Sequence, residues 1–342
     1  MQPSFELLPD VFELADVKRR VKIQDVDFDE DFLSVLISNY FKVAEYKNRP
    51  TISTAFEIYM REHPSAQRRR FINTVNNYYN TFYEIFGDVP LEGLRHWHIT
   101  NYRDKLLAKG LNPNSVRKHN NILNAMINMA FKHLDIDRLS PFRGLRIKGE
   151  GELVRPIPPI TLEKLIQVKE FLVNHKTPAR LIGLIQLNTG CRISEPALAR
   201  LEDLVLEHDI PHLWIRKNEH TDRKTKSSIR AIPLCGISLE AAQDLYKLAK
   251  RKRSEWLVPE YAKEIGGATC SATLNKALKP FEFRSHFFRH AFIDRIKARS
   301  DIPIHIAESI TGHGRTQTEF SAYGSIGYTL EQKKEIIEKV LI

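Results

Sequence analysis

Cysteine is scarce. Cys191, Cys235 and Cys270 are the only three in 342 residues, an odd number and widely spaced. They offer neither a disulfide framework nor a CxxC metal pair, which points to a reducing compartment. Long apolar runs are missing too: no stretch reaches the roughly 20 residues a helix needs to cross a bilayer. The first residues lack the basic start and apolar run of a secretory signal. A soluble, cytoplasmic protein is the expectation, with no membrane partner. Negative charge is the lesser sign, Asp+Glu 42 against Lys+Arg 52, which leaves a formal +10 and a pI near 9.4. That balance favours a polyanionic partner, nucleic acid above all. What is present in quantity is hydrophobic sequence, 42%, enough for the cores of two or three domains.

Residues 1–48 mix short apolar pieces with a basic run at 18–22 and an acidic run at 25–31. A short helix is expected at 32–43, and a surface appendage or oligomer contact is favoured over a second DNA-binding module. Residues 49–145 read as a helical domain. Its first helix is capped around Thr51 and runs to Glu62. A second opens at Gln67 to Arg70 and carries aromatics from Phe71 to Phe86, read as core. A third is expected at 99–108, and a fourth at 116–133 behind an Asn112–Ser115 cap. Arg117 and Lys118 at its start are candidate DNA contacts, Arg68 to Arg70 weaker ones. Residues 146–160, rich in Gly and Pro, read as a linker.

Residues 161–342 form the second expected domain. Thr161 caps a helix, and a buried helix at 178–188 breaks at Thr189-Gly190. A new helix begins near Arg192, where free backbone N–H groups would favour a phosphate and Glu195 would pair with the arginine. Two strands, 213–215 and 229–232, flank a basic loop holding Lys217, Arg223, Lys224 and Lys226. Helices are expected at about 238–252 and 271–279. The final helix, 330–341, opens with the capping box Thr329-x-x-Gln332; its apolar side could fold back into its own domain, and docking on a neighbouring protomer is the favoured expectation. The fold class is mainly α with a small antiparallel β-sheet (α+β).

The segment from Arg284 to Tyr323 holds the densest chemistry. Ser285 is expected to cap a helix on which His286, Arg289 and His290 share a face. A second helix should end at Thr311-Gly312, leaving His313 at a helix end, with Tyr323 following. Arginine matches phosphate with a planar fork of donors. Histidine donates hydrogen bonds or moves a proton, and tyrosine can be a covalent nucleophile. His286 and His290 have the spacing of a zinc helix, but no acidic residue lies between them and no third ligand is evident. Taken one at a time, Arg192 reads as a salt bridge to Glu195 and His313 as a helix cap. Their joint occurrence favours phosphodiester chemistry.

Thr189-Gly190-Cys191-Arg192-Ile193-Ser194-Glu195, then Lys224-Thr225-Lys226 ahead of Arg230-Ala231-Ile232-Pro233-Leu234, then His286-x-x-Arg289-His290, Gly312-His313 and Tyr323 stand in that order. Together they resemble the tyrosine recombinase (phage integrase) family. The resemblance implies a catalytic domain over 160–342 and a helical core-binding domain over 51–145, clamped around duplex DNA. It makes Arg192 and Arg289 the arginines on the scissile phosphate, His286 a phosphate ligand and proton-transfer group, and His313 the last phosphate hydrogen-bonder. Lys224 becomes the general acid for the leaving 5′-oxygen, with Lys226 as its competitor. Tyr323 becomes the nucleophile that forms a 3′-phosphotyrosine, with Tyr328 as the alternative. Glu195 would steady Arg192, and His290 would support the site. The chain departs from the family at Thr311, where Leu is usual. The implied activity is site-specific recombination, integrating or excising a phage or other mobile element, with no cofactor, metal or ATP. Specific recombination sites, a tetrameric synapse, accessory DNA-bending proteins and a nucleoid location complete the expectation. A type IB topoisomerase and a catalytically silent DNA-binding protein are the alternatives.

Overall fold

Helix caps legible in the sequence set most boundaries in the structure, a computed structural model that describes residues 49–152, 158–221, 229–313 and 327–342. The expected helix at 32–43, the loop lysines Lys224 and Lys226, and Tyr323 lie outside the described residues. The chain divides into two units, Met1–Pro156 and Ile157–Ile342.

In the first unit, α1 (Ile52–Glu62) starts at Thr51, which donates its N–H to Thr54 Oγ1 at 3.1 Å. Helix α2 (Arg69–Phe86) ends where Gly87 takes φ +72°. Helix α3 (His96–Ala108) begins earlier than expected because His98 caps it: its Nδ1 accepts the Arg95 N–H at 3.1 Å. Histidine is not among the usual capping residues. Helix α4 (Pro113–His133) follows Asn112, whose side chain accepts the Ser115 N–H at 2.8 Å. The core gathers Ile52, Phe82, Leu91, Tyr102, Leu123 and Met126. Phe82 meets Tyr102 edge-on, with ring centroids 5.3 Å apart. The aromatic stripe of α2 is only partly core, since Tyr83 turns outward. Ile147, inside the segment expected as linker, is buried in this core.

The second unit begins with α5 (Leu162–Asn174), capped by Thr161 Oγ1 on the Lys164 N–H at 3.2 Å. Helix α6 (Pro178–Thr189) is buried almost all round and forms the centre of the core. One turn of helix, α7 (Ser194–Ala197), follows. Three strands, β1 (Leu204–Val205), β2 (His212–Ile215) and β3 (Arg230–Pro233), form an antiparallel sheet in that order. Leu213 pairs with Leu204 on one side and Ile232 on the other. Strand β1 was not expected, being too short for an alternating pattern.

Helix α8 (Ile237–Arg251) is followed by α9 (Gly266–Leu278), which starts before the expected 271. Its first residues are glycines packed tightly on the chain: a Cβ on Gly266 would lie 1.7 Å from the Tyr261 carbonyl oxygen. Helix α10 (Ser285–Lys297) carries Arg284, not Ser285, at its cap position. The Ser285 N–H is instead taken by Asn275 Oδ1 at 2.8 Å. Helix α11 (Ile304–Thr311) ends at Gly312 with φ +69°.

Helix α12 (Leu330–Glu338) has both halves of the expected capping box, Thr329 N–H to Gln332 Oε1 and Gln332 N–H to Thr329 Oγ1. The expectation that it docks on a neighbouring protomer is corrected. Ile336, Ile337 and Val340 are buried in the core of their own unit. Lys333 Nζ donates to the Ala231 carbonyl at 3.2 Å, and the Ile342 N–H donates to Asn188 Oδ1 at 3.1 Å. Among the described residues no helix is long and apolar enough to cross a membrane.

Candidate active site

The site is built on the glycine turns at Gly190 and Gly312. Gly190 leaves α6 in the left-handed region, φ +61°, and a Cβ there would sit 2.5 Å from Phe292 Cδ1. That turn sends Arg192 outward while Cys191 stays buried, its thiol pushed up to about 12 by burial and the nearby Glu195. The Arg192 N–H is not free for a ligand. It donates to Glu195 Oε2 at 2.8 Å, and Arg192 Nη1 meets Glu195 Oε1 at 3.2 Å. The positive end expected of a helix start is therefore spent on a side chain, and α7 is a single turn. The charge offered to a ligand comes from the guanidinium of a side chain that is 45% exposed.

Glu195 is fully buried and holds a second arginine that sequence reasoning missed. Arg230, on β3, places Nη2 2.8 Å from Glu195 Oε2 and Nη1 3.2 Å from Oε1. Arg230 Nε also donates to the Ile310 carbonyl at 2.7 Å. One signal was available: a charged residue inside the apolar run Ile229-Arg230-Ala231-Ile232 needs a buried partner.

Arg289 projects from α10 and is buried, as its position among Phe288, Ala291 and Phe292 suggests. Nη1 donates to the main-chain carbonyls of Gly190 and Thr311 at 2.9 and 2.7 Å. Nη2 lies 3.0 Å from His313 Nε2. Its pKa is pushed down to about 10, first by burial and then by Arg192. Arg192 and Arg230 thus share the carboxylate of Glu195, and Arg289 lies close enough to feel all three charges, with positive charge in excess. A buried excess of this kind is relieved by an anion.

His286 and His313 flank this charge, each partly exposed and partly desolvated. The His286 ring stands edge-on to His290, centroids 4.6 Å apart. Burial lowers the His286 pKa, and His290, Arg289 and Arg192 add to the effect. His313 is lowered by burial, then by Arg289 and Arg192. The structure thus brings together Arg192, Glu195, His286, Arg289, His290 and His313. Lys224, Lys226 and Tyr323 fall outside the described residues. Among the described residues no group of three or more His, Cys, Asp or Glu could hold a metal ion.

In the first unit, Lys118 is exposed at the start of α4. Arg117 is engaged within its own unit, Nε on Glu150 Oε1 at 2.5 Å and Nη2 on Glu150 Oε2 at 2.6 Å.

The fold is that of the tyrosine-type site-specific recombinases. Residues 159–326, most of the second unit, match the profile of the Phage integrase family. The fold is similar to that of the Tn1549 transposon integrase solved with a circular intermediate DNA. That match has 17% identity and a TM-score of 0.61, covering 85% of this chain and 100% of the other. It is also similar to lambda integrase in a tetramer bound to a Holliday junction, at 15% identity and a TM-score of 0.59, covering 78% and 76% of the two chains. A lambda integrase dimer on a COC′ core site matches at 13% identity and a TM-score of 0.58, covering 90% and 84%. No curated protein sequence matches the chain.

Proposed function

We propose that the chain cuts and rejoins duplex DNA at specific sites through a phosphotyrosine on Tyr323, and that it integrates or excises a phage or other mobile element. The observation that carries this reading is the state of Arg289. Its guanidinium is buried against two carbonyls and an imidazole, beside Arg192, which leaves its charge to be answered by an oxyanion.

In this reading the scissile phosphate lies against Arg192 and Arg289, whose donors bind its non-bridging oxygens as charge grows on them. His286 and His313 add hydrogen bonds. The Tyr323 phenol gives its proton to His286 as its oxygen attacks phosphorus, the bond to the 5′-oxygen breaks, and Lys224 gives that oxygen its proton; Lys226 is the alternative donor. The 3′ end stays on the protein as a phosphotyrosine ester. Attack by a new 5′-hydroxyl reverses these steps, so the ester conserves the bond energy. Glu195 and Arg230 hold Arg192 in place, and His290 supports His286.

The Tn1549 and lambda integrases are solved on circular intermediate and Holliday junction DNA, which supports DNA ends of a mobile element as the substrate and a tetrameric synapse as the assembly. The two units divide the work, the catalytic unit cleaving and the helical unit contacting DNA through Lys118. The test uses nicked suicide duplexes built from the DNA flanking the gene. The unmodified protein should form an adduct stable to denaturant, and Tyr323→Phe should bind without forming it. Relaxation of a supercoiled plasmid lacking any such site would favour a topoisomerase instead.

A further inference from the structure

Helix α4 carries no acidic residue, whereas α1 holds Glu57 and Glu62, α2 Glu84 and α3 Asp104. Its buried side is apolar, with Val116, Leu123, Met126, Ile127 and Ala130. Its exposed side reads Lys118, Asn121, Ala125, Asn128 and Lys132. At 3.6 residues per turn these five fall within an arc of about 80°. Asn114, one turn earlier, is engaged elsewhere: its Oδ1 accepts the Gly151 N–H at 3.0 Å. Among the described residues the amides of Asn121 and Asn128 have no hydrogen-bond partner. Asparagine is a poor residue for a helix interior, and neither of these caps an end. Local structure therefore gives no reason for their placement.

A face with a cation at each end, amides between them and no carboxylate suits duplex DNA. The asparagine amide sets a donor beside an acceptor, which match N7 and the N6–H of adenine in the major groove, and an alanine methyl packs on the methyl of thymine. Lys118 and Lys132 stand 14 residues apart, about 21 Å along the axis. That span puts an ammonium beyond each edge of a groove about 12 Å wide, where the phosphates lie. Asn121 and Asn128 are separated by about 10.5 Å, or about three base steps of 3.4 Å. We propose that the exposed arc of α4 lies in the major groove and selects A·T pairs. Asn121 and Asn128 each read an adenine, about three steps apart, Ala125 packs on a thymine methyl between them, and Lys118 and Lys132 hold the flanking phosphates. Arg117 stays on Glu150, outside the arc. The inference rests on the reading of the chain as a DNA-binding protein and adds to it the class of sequence bound.

The test is binding of the full chain to a pool of duplexes of randomised sequence, with the bound fraction sequenced. The unmodified protein should enrich two A·T pairs about three steps apart. Asn121→Ala should erase the adenine preference at one of them and Asn128→Ala at the other, each by about tenfold or more, with the rest of the preferred sequence kept. Alanine favours helix more than asparagine does, so both variants are expected to keep the fold. Replacing a selected adenine by 7-deazaadenine, which lacks the N7 acceptor, should weaken binding by the unmodified protein and leave the matching alanine variant unaffected. Lys132→Ala should weaken binding to all sequences alike and lower the salt slope by about one. A bound fraction without such A·T pairs, alanine variants that keep both preferences or weaken every sequence alike, or an equal loss with 7-deazaadenine in both proteins would overturn the proposal. A Tyr323→Phe protein that still formed the DNA adduct would end the Tyr323 reading and leave the base preference standing.

Discussion

Arg230 and Glu195 lie fork to fork inside the catalytic unit, Nη2 to Oε2 at 2.8 Å and Nη1 to Oε1 at 3.2 Å, with side chains 3% and 0% exposed. The carboxylate that positions Arg192 is thereby held from the β-sheet side.

Breaking that pair from one side should be costly. Arg230→Met removes the guanidinium and leaves a buried carboxylate with less charge to meet it. A loss of about 3–5 kcal/mol is expected from denaturant unfolding of the full chain. Adding Glu195→Gln should recover part of it, because the amide keeps an acceptor for the Arg192 N–H. Costs of Arg230→Met and Glu195→Gln that simply add in the double variant would show that the pair is not coupled.

Arg289 is a matter of shape as well as charge. Arg289→Lys keeps a cation but cannot reach the Gly190 and Thr311 carbonyls and a phosphate at once. Single-turnover cleavage of a suicide duplex should fall about 100-fold or more, with binding changed far less. A rate within a few-fold of the unmodified protein would remove Arg289 from the reaction.

The turn before Arg192 can be tested through Gly190→Ala. Its φ of +61° and the 2.5 Å approach to Phe292 make any side chain strained. Destabilisation of about 1–3 kcal/mol is expected, together with slower cleavage as Arg192 shifts. The thermal midpoint and the cleavage rate should fall together.

These examples show which parts were legible beforehand. Thr51, Thr161, Asn112 and the Thr329–Gln332 box announce helix starts through hydroxyl and amide acceptors, and Gly190 and Gly312 announce stops. The Arg192–Glu195 pair was legible because its members are three apart in sequence. Arg230 reaches Glu195 across 35 positions, and no local pattern encodes that contact. The tie between Thr311 and His313 depends on how the chain leaves α11 at Gly312, which spacing alone does not reveal. Nor does the apolar stripe of α12 say which surface it covers; the structure seats it on β3 and α11 of its own unit.

A pH effect should appear in the helical unit. His119 is buried in its core, stacked on Tyr78 at 3.7 Å and bonded to the Tyr102 hydroxyl at 2.9 Å. Burial pushes its pKa down from 6.5 to about 4. The folded protein therefore binds fewer protons than the unfolded chain between those values. The contribution of a neutral His119 is complete above about pH 6.5, declines as the pH falls, and levels off below about 4. Urea midpoints across that window should drop with acid, and His119→Gln should flatten the dependence.

DNA affinity should separate two neighbouring cations. Lys118 is exposed, whereas Arg117 is forked on Glu150. Lys118→Ala should weaken binding and reduce the slope of log affinity against log salt by about one. Arg117→Ala should leave the slope nearly as it was. The reverse order would move the DNA contact to Arg117.

The most direct measurement is the identity of the residue that carries DNA. A suicide-duplex adduct, digested with protease and nuclease, is resolved by mass spectrometry. A nucleotide ester on the peptide containing Tyr323, absent from Tyr323→Phe, is the predicted result. Attachment at Tyr328, or the same adduct in Tyr323→Phe, would contradict it.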